Sequence, residues 1–380
     1  MVELIPSEAR DPADMQDKTN LKTTPLLNEH LELKAKMAPF AGWNMPIQYE
    51  GIIAEHNHTR TQASLFDICH MGEFYIKGDA VISGLDRIFS FSIDNMLIGK
   101  CRYGAMLNEK GGIKDDLVVY RISKDEWMVV VNSATIDKDA KHIESHLKKG
   151  TEFKNLSNGL AKLDLQGPLS RDILAELITP EIKRLKYYTF DYFDILGEKN
   201  IISRTGYAGE LGYELYVSSE KAVKVWNYLL KDKRLKPAGL GARDTLRLEM
   251  GYTLYGQDVN EETTPLEANL RKFINFDRDF IGKDALIRQK KEGIKRLLIA
   301  FKTDSRRAPH HEYSITKDGK EIGKVTSGSF SPSLSCGIGL GYVEMNYSRI
   351  DEKILIKSGP VEIEAAITEK PFYKKSSLMN

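Results

Sequence analysis

The sequence predicts an α+β protein whose body mixes antiparallel sheets with helices and whose C-terminal end is a small β-barrel. Two observations carry this. Tyr103 to Asn132 reads as an antiparallel meander: Tyr103 to Leu107, Ile113 to Ile122 and Trp127 to Val131, broken by turns at Asn108 to Gly112 and Ser123 to Asp125. From Lys295 the character changes to short strands with Gly and Ser turns, including Arg296 to Phe301, Ile322 to Thr326 and Val361 to Ile367. Between them strands and helices follow no regular alternation, which argues against a doubly wound parallel sheet.

In chain order, residues 1–23 read as a loose extension. Glu3, Glu8, Asp11, Asp14 and Asp17 make it too acidic for a mitochondrial leader, and it is too polar for a secretory one. Leu26 to Lys36 reads as a helix start or turn, and Phe40 to Pro46 is punctuated by Gly42 and Pro46. Ile47 to Leu65 has mixed helical spacing, Gly72 to Lys77 is strand-like, and Ala80 to Ser92 returns to helical periodicity. After the meander, a helix is expected from Thr135 to Lys149. Strands follow at Leu160 to Gln166, Ile201 to Thr205 and Glu214 to Val217, separated by helices at Pro168 to Ile178 and Glu220 to Lys231. The charged run Arg288 to Lys295 is the best linker. The expected organisation is an extension (1–23), a body of two interleaved α+β domains (24–292) and a barrel (293–380).

Composition narrows the function classes. The 380 residues suffice for two or three domains without disulfide or metal staples. Lys plus Arg number 55 against 54 Asp plus Glu, so there is no net field to hold nucleic acid or an anionic membrane. No apolar run reaches the roughly 18 residues of a spanning helix. Cys69, Cys101 and Cys336 are odd in number and widely spaced, which fits a reducing, cytosolic compartment.

Each chemistry-bearing residue type here also has a plainer structural role. Strand alternation puts Asp116, Val118 and Tyr120 on one face and Asp115, Leu117 and Val119 on the other. A carboxylate facing an apolar wall either finds a partner or acts as an acid or base, yet just past a hairpin it is usually a solvated turn residue; spacing does not decide. Asn132 closes an apolar strand, where capping the next helix is the better reading and an amide aimed at a ligand the alternative. Gly206 to Glu214 sets three glycines around Tyr207 and Tyr213, which suits a loop approached by a planar ligand or a decorated hairpin. Gly239 to Asp244 lacks the third glycine of a dinucleotide fingerprint, leaving Arg243 to hold a carboxylate, stack on a ring or pair structurally. His56, His58, His70 and Cys69 do not form separated ligand pairs, so no metal is expected. Hydrolase, NTPase and zincin signatures are missing from the sequence.

Taken together, Phe40-Ala41-Gly42-Trp43-Asn44-Met45-Pro46, Leu65 to Glu73 (LFDICHMGE) and Gly111 to Tyr120 (GGIKDDLVVY) resemble the glycine cleavage T-protein family. Leu165-Gln166-Gly167-Pro168, Ser203 to Tyr207, Gly239 to Asp244, Tyr255-Gly256-Gln257-Asp258, Asp279 to Gly282, Thr326-Ser327-Gly328 and Lys370 to Tyr373 follow in the family's order. The resemblance covers about residues 24 to 373. It implies a cloverleaf of three domains around a central folate cavity. It also implies an aminomethyltransferase that moves the methylene of the aminomethyl-lipoyl H-protein to tetrahydrofolate, releasing ammonia and forming 5,10-methylenetetrahydrofolate. Tetrahydrofolate is the implied co-substrate and lipoylated H-protein the implied partner.

By the same resemblance Asp116 is the catalytic carboxylate, and Glu214, Arg243 and Asn132 are polar folate contacts. Met71, Tyr103, Val118, Tyr120, Tyr207 and Tyr252 match ligand-lining positions. Cys69 stands where Ser is expected, the tail after Tyr373 lacks arginines, and the acidic leader has no counterpart. The alternatives are a folate-dependent demethylase of the same fold and a non-catalytic folate-binding scaffold. The related sarcosine-type oxidases are disfavoured by the missing dinucleotide domain. The iron–sulfur assembly relatives are disfavoured by a cysteine motif that is not found around Cys69, Cys101 or Cys336.

Overall fold

The computed structural model describes residues 21–380, so most of the expected 1–23 extension lies outside the described residues. The chain forms two compact units. One comprises residues 21–106, 115–243 and 376–380, and the other 107–114 with 244–375. The first barrel strand begins at Arg296, and the unit that contains it also takes in residues 244–295.

In the first unit the strands in chain order are β1 (Lys22–Thr23), β2 (Lys36–Phe40), β3 (Trp43–Gln48), β4 (Ala63–Asp67) and β5 (Gly72–Lys77). Next come β6 (Cys101–Leu107), β7 (Ile113–Arg121), β8 (Glu126–Val131), β9 (Glu152–Asn155) and β10 (Leu160–Gln166). The last four are β11 (Phe190–Ile195), β12 (Glu198–Ser203), β13 (Gly212–Ser218) and β14 (Leu235–Pro237). Lys22–Thr23, assigned to the extension by sequence, instead pair in parallel with Trp43–Asn44. The meander is as expected: β6, β7 and β8 are consecutive in a five-stranded sheet ordered β6-β7-β8-β5-β9. A six-stranded sheet runs β11-β12-β13-β10-β4-β14.

Strand β8 explains why its sequence is a continuous apolar run. Trp127, Val129 and Val131 face a core with Phe74, Leu117, Val119 and Ile143, while Met128 and Val130 face a second core with Cys101, Tyr120, Phe190 and Tyr216. Both faces are buried, so alternation with polar residues disappears. The second core joins the two sheets, since Tyr120 lies on β7 and Tyr216 on β13. A third core packs Leu163, Leu165, Ile173 and Trp226 between the six-stranded sheet and its helices.

The helices are α1 (Leu27–Glu32), α2 (Ile52–Thr61), α3 (Leu85–Ile88), α4 (Ile136–His146), α5 (Ser170–Leu177), α6 (Ala222–Leu229), α7 (Leu240–Glu249) and α8 (Lys283–Glu292). Two sequence expectations are corrected. Ala80 to Ser92 is helical only over α3, because Asp79 Oδ1 accepts the N–H groups of Val81 and Ile82 and Asp86 Oδ1 accepts that of Ile93, bonds that compete with helix hydrogen bonding. Arg288 to Lys295 is not all linker, since α8 runs through Glu292 and stops at Gly293, whose φ of +91° a residue with a side chain rarely adopts.

In the second unit β15 (Arg296–Thr303), β16 (Ser314–Lys317), β17 (Lys320–Ser331), β18 (Cys336–Glu344), β19 (Lys353–Ser358) and β20 (Val361–Thr368) close a barrel in the order β15-β18-β17-β16-β19-β20. Phe301, Ile315, Val325, Ile356 and Ile367 fill its core. In the same unit Arg247 donates to Asp258 Oδ2 and Ser327 Oγ, both at 2.9 Å, and Thr326 and Ser327 also donate to Asp258. The Tyr255 to Asp258 and Thr326 to Gly328 motifs are therefore held by one buried ion pair.

Candidate active site

The strand face that carries Asp116, Val118 and Tyr120 forms as alternation requires. Asp116 is partly exposed on β7, above Val118 and the fully buried Tyr120, while Asp115 points the other way and is 0 % exposed. The Asp116 carboxyl accepts from the Tyr103 hydroxyl at 2.8 Å and from Asn132 Nδ2 at 3.1 Å. Burial, and then the charge of Asp115, push its pKa up to about 7, against the lowering effect of these two hydrogen bonds.

Asn132 does not cap. Its side chain makes no cap hydrogen bond to the following 3-10 turn, and its amide nitrogen instead bridges Asp115 Oδ1 at 2.8 Å and the Asp116 carbonyl at 2.9 Å. The buried Asp115 and Asp116 oxygens beside it outcompete the cap, because a buried acceptor left without a donor is costly.

Glu214 and Arg243 sit on the other sheet. In the β10–β13 register Asp164 is opposite Glu214 and Lys162 is opposite Tyr216. Lys162 Nζ lies 3.1 Å from Glu214 Oε1 and 3.7 Å from Met71 Sδ, and over the Tyr216 ring. Burial works to raise the Glu214 carboxyl, but Lys162 and the Thr205 hydroxyl together hold it below its ordinary value. Tyr120 is not a lining residue: its hydroxyl bonds Tyr216 at 2.8 Å and Ser203 at 3.1 Å, which ties β7 to the Glu214 cluster. Arg243, in the first turn of α7, pairs with Asp164 and stacks on Tyr207 with 5.1 Å between guanidinium carbon and ring centre. Burial pushes Asp164 up to about 6 despite that pairing.

Gln166 completes the stripe of polar side chains Lys162, Asp164 and Gln166, donating to Asp164 and to the Thr205 carbonyl. A Cβ on either Gly206 or Gly212 would overlap its amide. The glycines of this hairpin loop therefore let β13 close on Gln166.

Asp116, Tyr103, Asn132, Val118, Met71, Glu214, Arg243 and Tyr207 thus share one unit, whereas Tyr252 belongs to the other, where it bonds Arg247 through its backbone. Sequence reading missed Asp115, Lys162, Asp164 and Thr205. Alternate polar residues along the apolar strand Leu160 to Gln166 were a usable signal, because a polar stripe on a buried strand needs partners. Glu73 was missed too: it is 2 % exposed, its Oε1 has no hydrogen-bond partner among the described residues, and burial is the main cause that pushes it up to about 8. No group of residues able to hold a metal occurs among the described residues.

An α+β body carrying this charged and aromatic cluster, followed by a closed barrel, defines the two-part architecture of a transferase family. The GCVT N-terminal domain matches residues 26–278 and the glycine cleavage T-protein C-terminal barrel domain matches 296–374. An aminomethyltransferase of Halothermothrix orenii is 45 % identical over 93 % of this chain and its own full length, and one of Flavobacterium psychrophilum is 42 % identical over 93 % and its full length. The crystal structure of the glycine cleavage system aminomethyltransferase T of Bartonella henselae superposes with a TM-score of 0.88 at 31 % identity, covering 94 % of this chain and 99 % of that one. The chain belongs to the glycine cleavage T-protein family, and it is an enzyme of aminomethyl transfer. The family depends on folate and works within the glycine cleavage system.

Proposed function

We propose that tetrahydrofolate is held against the Asp116 face, and that the aminomethyl carbon reaches it there from the lipoyl arm of an H-protein partner. The observation that carries this reading is Asp116 itself, a carboxyl on an apolar strand face, oriented by one phenol and one amide and titrating near neutrality. The surrounding donor set suits a pterin. Glu214, kept ionised by Lys162, can accept ring and amino N–H groups, and Met71 and Val118 supply an apolar wall. Arg243 on Tyr207 supplies a planar cation for a second polar group.

Bound tetrahydrofolate would supply the nitrogen nucleophiles that take up the one-carbon unit. The chain's own part is to manage charge and protons. With a pKa of about 7, Asp116 can take or give a proton at its carboxyl oxygen with little cost in either direction. Ionised, it stabilises positive charge that develops at the transferring carbon. Tyr103 and Asn132 fix its orientation, so no reorganisation is needed as the charge forms. A cytosolic setting fits the three free, buried cysteines.

The test is formation of 5,10-methylenetetrahydrofolate from tetrahydrofolate and aminomethyl-loaded H-protein, comparing the wild type with Asp116→Asn at matched folate occupancy. Turnover that collapses in the variant is expected. Full activity in Asp116→Asn moves catalysis elsewhere, and tight folate binding without wild-type turnover leaves a demethylase or a scaffold.

A further inference from the structure

Behind Asp116, on the opposite face of β7, lies a second acidic group that aminomethyl transfer does not explain. Asp115 and Asp139, the latter on α4, are both 0 % exposed, and burial together with the neighbouring Asp139 carboxyl pushes the Asp115 carboxyl well above its ordinary value. Two carboxyls close together in a dry interior do not readily ionise together. The Asn132 backbone N–H donates to Asp115 Oδ2 at 3.0 Å and its side-chain amide to Asp115 Oδ1 at 2.8 Å, so both oxygens of Asp115 are engaged by one residue.

The consequence reaches the active face through a single amide. Asn132 Nδ2 has two hydrogens; one is taken by Asp115, and the other is turned toward the Asp116 carbonyl at 2.9 Å and its carboxyl at 3.1 Å. Fixing the first hydrogen fixes the second. We propose that Asp115 is a positioning residue for the transfer reaction: its two carboxyl oxygens clamp Asn132 so that the amide holds the Asp116 carboxyl.

The groups that bear most strongly on the two aspartates come from neighbouring elements. On Asp115 they are Asp139 from α4 and Asn132 from the end of β8; on Asp116 they are Asp115, Tyr103 from β6 and Asn132. Of the neighbouring charges, that of Asp115 is the larger influence on Asp116, ahead of both hydrogen bonds. Asp115 therefore acts on Asp116 in two ways, by geometry through Asn132 and by repulsion through the strand.

The inference rests on Asp116 being the reacting carboxyl, and its test separates the two claims. Protein carrying carboxyl-13C aspartate is titrated by NMR without folate, with Asp115→Asn, Asp116→Asn and Asp139→Asn assigning the resonances. In the wild type, one of the Asp115–Asp139 carboxyls is expected to stay protonated at neutral pH. Asp115→Asn removes a like charge and is expected to lower the Asp116 titration by about one pH unit. The same variant offers Asn132 one acceptor in place of two, and is expected to lower kcat on the order of 10-fold to 100-fold and to move the acid limb of its pH profile down with the NMR titration. Asp139→Asn leaves both Asp115 oxygens on Asn132 and is expected to keep nearly the wild-type kcat. A wild-type kcat in Asp115→Asn, or an Asp116 titration unmoved in that variant while only Tm falls, would overturn the proposal. An Asp116 titration that shifts as expected in an enzyme where Asp116→Asn remains active would sink the catalytic reading of Asp116 and leave the clamp intact.

Discussion

Lys162 Nζ lies 3.1 Å from Glu214 Oε1, with both side chains more than nine-tenths buried and carried by adjacent antiparallel strands. A buried ion pair is costly to assemble and more costly to break from one side, because the remaining charge has neither water nor partner. This one keeps Glu214 ionised where a pterin would need an acceptor.

Lys162→Met should therefore cost about 3–5 kcal/mol of stability, raise the Glu214 carboxyl and weaken tetrahydrofolate binding. Chemical denaturation and folate titration read the two effects. Lys162→Met combined with Glu214→Gln should recover part of the stability and none of the binding. Since the Glu214 pKa is lowered on folding, the pair's contribution is present above the ordinary carboxylate range and is lost as pH falls through the folded value, so wild type and the double variant should converge in acid.

Glu73 has the opposite sign. Its pKa rises from 4.5 in the unfolded chain to about 8 on folding, so its contribution is complete below 4.5 and disappears as pH climbs to about 8. Glu73→Gln should flatten the decline in Tm across that interval. An unchanged slope would show that Glu73 finds a cationic partner in solution.

Arg243→Lys keeps the charge and loses the planar fork. It should retain most of the stability, since an ammonium can still face Asp164, but lose the stacking on Tyr207 and with it folate affinity. Arg243→Ala should cost about 3–5 kcal/mol by leaving the buried Asp164 without its cation. Equal folate affinity for wild type and Arg243→Lys would remove the stacked guanidinium from the site.

Gly212→Ala tests the close approach of β13 to Gln166. The added methyl group overlaps the Gln166 amide and should cost about 1–3 kcal/mol by overpacking, measured as a fall in denaturation midpoint at unchanged slope. Gln166→Ala in the same chain should restore part of the loss.

Much of the fold was legible because local pattern and burial agree. The meander and the barrel strands announce themselves by alternation and by turn residues, and the Asp116 face follows from a period of two. Where sequence misled, side chains competed with the backbone: Asp79 and Asp86 interrupt the expected 80–92 helix, and Asp115 draws Asn132 away from its cap. In both cases the residue types were visible and their choice of partner was not.

The sequence by itself determined the fold class, the family through its ordered motifs, and the strand that carries Asp116. Only the tertiary structure decided that Lys162 meets Glu214, that Asp164 meets Arg243, and that Asn132 bridges Asp115 and Asp116. Periodicity states which face a side chain takes, but register and helix packing choose its partner. In a buried site the partner sets the charge, because an ionised group there survives only beside whatever compensates it.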